Sequence, residues 1–207
     1  MKVIILAGGY GTRLAEYTDK IPKPMVEIGK KPILSRIMEI YQSYGYKKFI
    51  IAAGYKKEII ENYYKDTKEF DIQIVDTGEN TMTGGRLKRV KEFLGNDPFC
   101  FTYGDGVANI DIKQLIKFHY EHKTKATLTA VQPPGRFGSL EFERGRVLSF
   151  KEKPKGDGNL INGGFFVLEP SVIDLIDGDQ CIWEDKPLKQ LAQEKELSAF
   201  FHTDFWQ

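Results

Sequence analysis

A hydrophobic run at residues 3–6 leads directly into Leu6-Ala7-Gly8-Gly9-Tyr10-Gly11-Thr12-Arg13-Leu14, and Pro22-Lys23-Pro24-Met25 follows shortly after. Glycines at positions 8, 9 and 11 let the backbone adopt positive φ and approach a ligand closely, so successive amide N–H groups can point at phosphate oxygens. Arg13 adds a planar fork suited to two oxygens, and Lys23 adds a compact point charge. Together these residues have the chemistry of a phosphate cradle, whereas a glycine cluster alone would be an ordinary turn. Two common phosphate loops do not fit. The segment has no Gly-Lys-Ser/Thr ending, and Leu14 stands where a dinucleotide fingerprint requires glycine or alanine. The second mismatch argues against a dinucleotide-dependent oxidoreductase.

A carboxylate appears between two glycines in Phe101-Thr102-Tyr103-Gly104-Asp105-Gly106. Asp105 is therefore the candidate metal ligand, since hard divalent cations favour carboxylate plus phosphate oxygens; the competing reading is a simple Gly-Asp-Gly turn. Thr83-Gly84-Gly85-Arg86-Leu87-Lys88-Arg89 offers a hydroxyl, bare backbone and a basic helix start. Exposed backbone at Gly84 and Gly85 could pair with a pyrimidine edge, and Arg86 could reach a phosphate or a base carbonyl. Lys88 and Arg89 read better as a solvated helix face. Gly138, Glu152, Lys153, Asn162 and Gly163 supply a carboxylate, an ammonium, an amide and bare backbone, a mixture suited to sugar hydroxyls and a phosphate. Taken singly, each is ordinary turn chemistry.

Other candidates are weaker. Phe165, Phe166, Phe200, Phe201 and Phe205 read as core aromatics. His119 and His122 share a helical face but have no companions for a metal shell. Cys100 and Cys181 show neither metal spacing nor a disulfide framework, and covalent catalysis finds no activated nucleophile.

Positioning these residues requires strands that end where they begin. Strand-like runs fall at residues 3–6, 49–53, 72–75, 99–103, 126–131, 138–142 and 164–168. Helical periodicity covers residues 33–44, with Gly45 as a stop signal, and recurs at 112–120 and 187–194. Strand and helix alternate through the first 125 residues, which predicts an α/β fold with a mostly parallel sheet and ligands beyond the carboxyl ends of its strands. After Ala126 the paired runs and the Gly145 turn predict an antiparallel excursion that could floor a second subsite. The 207 residues suit one such core, and a net charge of +1 gives no global pull toward nucleic acid or an anionic membrane. With no apolar stretch of spanning length and no secretory leader, the expected address is cytoplasmic.

These motifs, together with Val26-Glu27-Ile28-Gly29, Lys31-Pro32-Ile33-Leu34, Pro133-Pro134-Gly135-Arg136-Phe137-Gly138, Glu152-Lys153-Pro154-Lys155-Gly156-Asp157-Gly158 and Ile161-Asn162-Gly163-Gly164-Phe165-Phe166-Val167, run the length of the chain. On them the chain resembles the bacterial sugar-1-phosphate nucleotidylyltransferases. The first motif is shared across that superfamily, while the Thr-Gly-Gly-Arg and Pro-Pro-Gly-Arg-Phe-Gly segments resemble its cytidylyl branch.

The resemblance implies a Rossmann-like nucleotide-diphospho-sugar transferase fold as a single domain over residues 1–207, with a nucleotide part to about 125 and a sugar-phosphate part from about 126. It implies CTP and α-D-glucose 1-phosphate as substrates, CDP-glucose and pyrophosphate as products, and a place in supplying dideoxysugars of surface polysaccharide. Leu6, Ala7, Gly8, Gly9, Gly11, Thr12, Arg13, Thr83, Gly84, Arg86 and Asp105 would bind the nucleotide. Lys23, Gly138, Glu152, Lys153, Asn162 and Gly163 would bind the sugar phosphate. Arg13, Lys23 and Asp105 would be catalytic, with Mg2+ on Asp105. The family pattern continues past the equivalent of Gln207 with Pro-Met-Asp-Thr, whose aspartate would be a second metal ligand, and it has a longer connection between Tyr64 and Asp71. A homo-oligomer is an open expectation, because that connection contributes to subunit contacts in the family. Other nucleotides or sugar phosphates, or a binding protein that keeps the cradle without turnover, are the competing readings.

Overall fold

A computed structural model describes residues 1–11, 20–133, 139–151 and 160–207. Its centre is a seven-stranded sheet in the order β11-β7-β10-β6-β1-β4-β5. These strands are β1 (Val3–Ala7), β4 (Lys48–Ala53), β5 (Asp71–Asp76), β6 (Phe99–Tyr103), β7 (Ala126–Val131), β10 (Ile161–Leu168) and β11 (Leu197–His202). β1, β4, β5 and β6 pair in parallel; β10 runs antiparallel to both β6 and β7, and β11 runs parallel to β7. Six of the seven strands therefore share one direction, in agreement with the mostly parallel sheet expected from the sequence.

Alternation along the strands builds two cores. Val3 and Ile5 of β1 face α1 (Ile33–Ser43), α2 (Lys57–Tyr64) and α4 (Ile112–His122), packing with Leu34, Ile37, Met38, Ile60 and Leu115. Ile4 and Leu6 face the other way, toward Leu87 of α3 (Thr83–Arg89), Trp183, and Leu188 and Leu191 of α5 (Lys186–Gln193). A fully buried Leu, Ile or Phe contributes about 1.5–3 kcal/mol, so both faces of the sheet are anchored independently of the loops above it.

Boundaries mostly follow local chemistry. α1 stops where Gly45 takes φ +91, and α4 starts where the Asp111 carboxylate accepts the Gln114 N–H at 3.0 Å. Two elements carry a weak signal: α2 is a mixed charged and aromatic octapeptide, and β11 includes Ser198 and an exposed Phe201. The short hairpin of β2 (Glu27–Ile28) and β3 (Lys31–Pro32) turns on the positive-φ pair Gly29 and Lys30. The antiparallel excursion is a separate hairpin, β8 (Ser139–Glu143) with β9 (Arg146–Lys151), turning at Gly145 with φ +80. β7 itself stays in the main sheet.

Two expectations need correction. Phe165 and Phe166 are buried and Phe200 is partly so, but Phe201 and Phe205 are 60% and 56% exposed. On β11, alternation turns Phe201 out when Phe200 packs inward, and Phe205 lies beyond the strand.

Candidate functional site

The chain leaves β1, builds β4 and β5 on one side, then returns to place β6 on the other. Loops diverge at such a reversal and open a crevice above the carboxyl ends of the strands. That crevice is a cleft of about 890 Å³, walled by residues 6–11 at the end of β1, residues 79–83 after β5, and residues 103–105 at the end of β6. Lys23, Pro24, Arg86, Asn162, Gln180 and Glu184 complete the wall.

Of the expected site residues, Leu6, Ala7, Gly8, Gly9, Gly11, Lys23, Thr83, Arg86, Asp105 and Asn162 come together here. Thr12, Arg13, Gly138, Glu152 and Lys153 lie outside the described residues. The Lys23 ammonium is ion-paired with the Asp105 carboxylate, 82 residues away in sequence. Lys23 sits in a 3-10 turn, residues Lys23–Met25, whose Pro24 and Met25 are buried and so hold its backbone in place. A carboxylate and an ammonium facing the same space can divide the work of holding a metal and neutralising a phosphate. Asp105 fits Mg2+ through its hard oxygen donor, because Mg2+ commonly takes one or two carboxylates and fills its remaining positions with water and phosphate. Among the described residues there is no cluster of three or more His, Cys, Asp or Glu around it.

Arg86 lines the cleft with its guanidinium turned to the protein's own backbone. Its side chain is buried, and the guanidinium donates to the carbonyls of Gly8 at 2.8 Å, Gly78 at 2.6 Å and Glu79 at 3.0 Å, and to Thr77 Oγ1 at 2.7 Å. It ties the loop after β1 to the turn after β5, so most of its donors are committed to backbone. Burial pushes its pKa down, although a guanidinium stays charged at any ordinary pH. Gly8 makes this clamp possible, since a Cβ there would lie 2.1 Å from Arg86 Nη1. Tyr10 adds a second bridge, donating to Asn80 Oδ1 at 2.9 Å.

Gly84 and Gly85 have a packing role. A Cβ at Gly84 would meet the Cys181 carbonyl at 2.8 Å, and one at Gly85 the Asp179 carbonyl at 2.4 Å. These glycines let α3 press against the 179–183 segment; Gly84 is absent from the cleft wall. Thr83 does face the cleft, donating to Glu184 Oε2 at 2.6 Å. Gly163 packs against β7, with its carbonyl accepting the Trp206 indole N–H at 2.7 Å. Next to it a bulge at Gly164, φ +81, sets Asn162 toward the cleft.

The histidines are used elsewhere: His119 is buried with Nδ1 2.9 Å from Thr127 Oγ1, and His122 stacks on Phe118 at 3.7 Å. Cys100 is buried, which raises its thiol pKa to about 12, and Cys181 is partly exposed.

Sequence reasoning missed Tyr103, Asn80, Gln180 and Glu184. Tyr103 was legible as the last residue of the strand that delivers Asp105. Glu184 was not, since its partner Thr83 stands 101 residues earlier and no local pattern links them.

Residues 2–207 match the family described as nucleotidyl transferase. Glucose-1-phosphate cytidylyltransferase of Salmonella typhi is 54% identical over 231 aligned positions, covering 100% of this chain and 90% of that protein. Mannose-1-phosphate guanyltransferase of Yarrowia lipolytica is 35% identical, covering 100% of this chain and 60% of its own length. Among solved structures, HddC from Yersinia pseudotuberculosis complexed with GMP-PN superposes with a TM-score of 0.78 at 28% identity, over 100% of this chain and 92% of that one. The chain belongs to the nucleotidyl transferase family.

Proposed function

We propose that this protein joins CTP to α-D-glucose 1-phosphate, releasing pyrophosphate and forming CDP-glucose. The observation that carries the reading is the meeting of Lys23 and Asp105 beside the glycine loop in one cleft, in a chain 54% identical to a glucose-1-phosphate cytidylyltransferase.

The sugar phosphate is already an anion at neutral pH, so its oxygen can attack the α-phosphorus without a general base. The protein's work is to hold two mutually repelling anions in line and to stabilise the departing pyrophosphate. Amides of the glycine loop would take the triphosphate, with Thr12 and Arg13 adding donors. Lys23 would leave Asp105 to neutralise the α-phosphate or the incoming sugar phosphate. Asp105 would hold Mg2+, which when bound supplies further charge for the triphosphate. Gly138, Glu152, Lys153, Asn162 and Gly163 would line the glucosyl side, formed by residues after about 126, while residues before about 125 hold the nucleotide.

Among the described residues no helix is long and apolar enough to cross a membrane. A cytoplasmic location and a role in supplying sugars for surface polysaccharide follow from the proposed substrates, and a homo-oligomer is compatible with them. The test is product analysis with glucose 1-phosphate and CTP, UTP, GTP or dTTP, with Mg2+ or with EDTA. CDP-glucose formed preferentially and only with metal supports the reading. Preference for another nucleotide would replace it.

A further inference from the structure

One acidic group in the cleft has no role in the reaction just described. Glu184 stands between Trp183 and α5, and its Oε2 accepts the Thr83 hydroxyl at 2.6 Å. The same Thr83 oxygen accepts the backbone N–H of Trp183 at 2.9 Å, so the hydroxyl has its proton aimed at Glu184. From the other side Tyr103 borders the same cleft, close enough for the Glu184 carboxylate to act on its phenol, and its hydroxyl accepts Asn162 Nδ2 at 3.3 Å. Asn162 is fixed in turn, because its Oδ1 accepts the Gly164 N–H at 2.8 Å. Burial foremost, then the Glu184 carboxylate, raises the Tyr103 pKa, so the phenol keeps its proton. Polar groups therefore line the cleft from α3 to β10, with a carboxylate among them.

An ionised carboxylate accepts about four hydrogen bonds and donates none. Thr83 accounts for one of these positions. Phosphate oxygens cannot fill the rest, since they would bring acceptors and negative charge against it. Neutral hydroxyls can. Two sets of hydroxyls enter the proposed reaction, those of the ribose and those of the hexose. The link through Tyr103 to Asn162 favours the hexose, because β10 flanks β6 on the side opposite the glycine loop of β1.

We propose that Glu184 is a specificity-determining residue that accepts hydrogen bonds from hydroxyls of the hexosyl group of the sugar phosphate, held in register by Thr83, Tyr103 and Asn162. This rests on the proposed nucleotidyl transfer. Glu184→Gln keeps the shape and an oxygen for Thr83 while removing the charge. Steady-state kinetics of both enzymes with glucose 1-phosphate, with its 2-, 3-, 4- and 6-deoxy analogues, and with CTP as the varied substrate test the assignment. The expected result is a KM for glucose 1-phosphate raised at least tenfold, with the KM for CTP and the melting temperature nearly unchanged. The analogue lacking the contacted hydroxyl should show the same KM with both enzymes. An unchanged KM for glucose 1-phosphate, or a rise confined to CTP, would overturn it. A wild-type protein silent with every nucleotide would remove the reading beneath it, and is told apart by the parallel wild-type assay.

Discussion

Lys23 and Asp105 neutralise one another across the mouth of the cleft, and both stay partly exposed. Such an exposed pair contributes about 0–1 kcal/mol to stability. One charge placed at the reacting phosphate, by contrast, is worth about 3 kcal/mol. Transition-state stabilisation therefore dominates the expected phenotype: Lys23→Ala should lower kcat/KM by about 100-fold while the urea midpoint barely moves. Equal loss of stability and activity would show that Lys23 serves the fold. Arg86 carries the opposite balance. Arg86→Met removes the buried guanidinium that ties Gly8 to Thr77, Gly78 and Glu79, although Gly8 keeps the Tyr55 N–H, and a buried hydrogen-bonding group left unsatisfied costs about 1–3 kcal/mol. Urea unfolding should therefore show a loss of at least about 2 kcal/mol, with nucleotide binding weakened alike for every base. Altered base selectivity without lost stability would restore Arg86 to base reading. The sequence announced an arginine near a glycine-rich turn, yet could not say which way it faces. That direction depends on Gly8 and Gly54, each of whose missing side chains makes room for the guanidinium.

At the scale of elements, α3 and the 179–183 segment form one wall of the cleft because Gly84 and Gly85 allow contact between backbones. Gly85→Ala would place a Cβ 2.4 Å from the Asp179 carbonyl oxygen, forcing the segment outward. Overpacking of this kind costs about 1–3 kcal/mol, measurable by thermal unfolding, and the displaced wall should raise KM as well. α4 carries a pH dependence of its own. Burial lowers the His119 pKa below its usual 6.5, with Glu169 only partly opposing it. In the unfolded chain the imidazole binds a proton at a higher pH than in the folded one. Stability from neutral His119 is thus present above pH 6.5 and is lost as pH falls through that value toward the lowered one. Urea midpoints measured between pH 5 and 8 should decline on the acid side, and His119→Gln should flatten that decline; parallel curves would contradict it. Strands with dense β-branched and aromatic residues, such as Phe99–Tyr103 and Ala126–Val131, were readable to the residue. β11 was not, since its pairing with β7 is parallel and comes from 71 positions away, leaving no local turn to signal it.

Across the whole molecule, the parallel half of the sheet and the antiparallel β10 meet at β6, which ends in Tyr103 and leads to Asp105. Glycine loop, carboxylate and ammonium were legible as chemistry because their residue types are unusual at strand ends. Their convergence was not written in any local spacing; it follows from the reversal of strand order between β4 and β6. The polar groups of Thr83, Glu184, Tyr103 and Asn162 are likewise brought to one cleft by topology, from four separate stretches of chain. In the proposed reaction one cleft holds both anions for direct transfer, with no covalent intermediate on the protein, and this fixes the stereochemical course at phosphorus. That course can be followed with CTP carrying a chiral sulfur-substituted α-phosphate and with glucose 1-phosphate as acceptor. A single in-line displacement predicts inversion at that phosphorus in the CDP-glucose product. Retention would require two successive displacements, and direct transfer within the cleft would then be wrong.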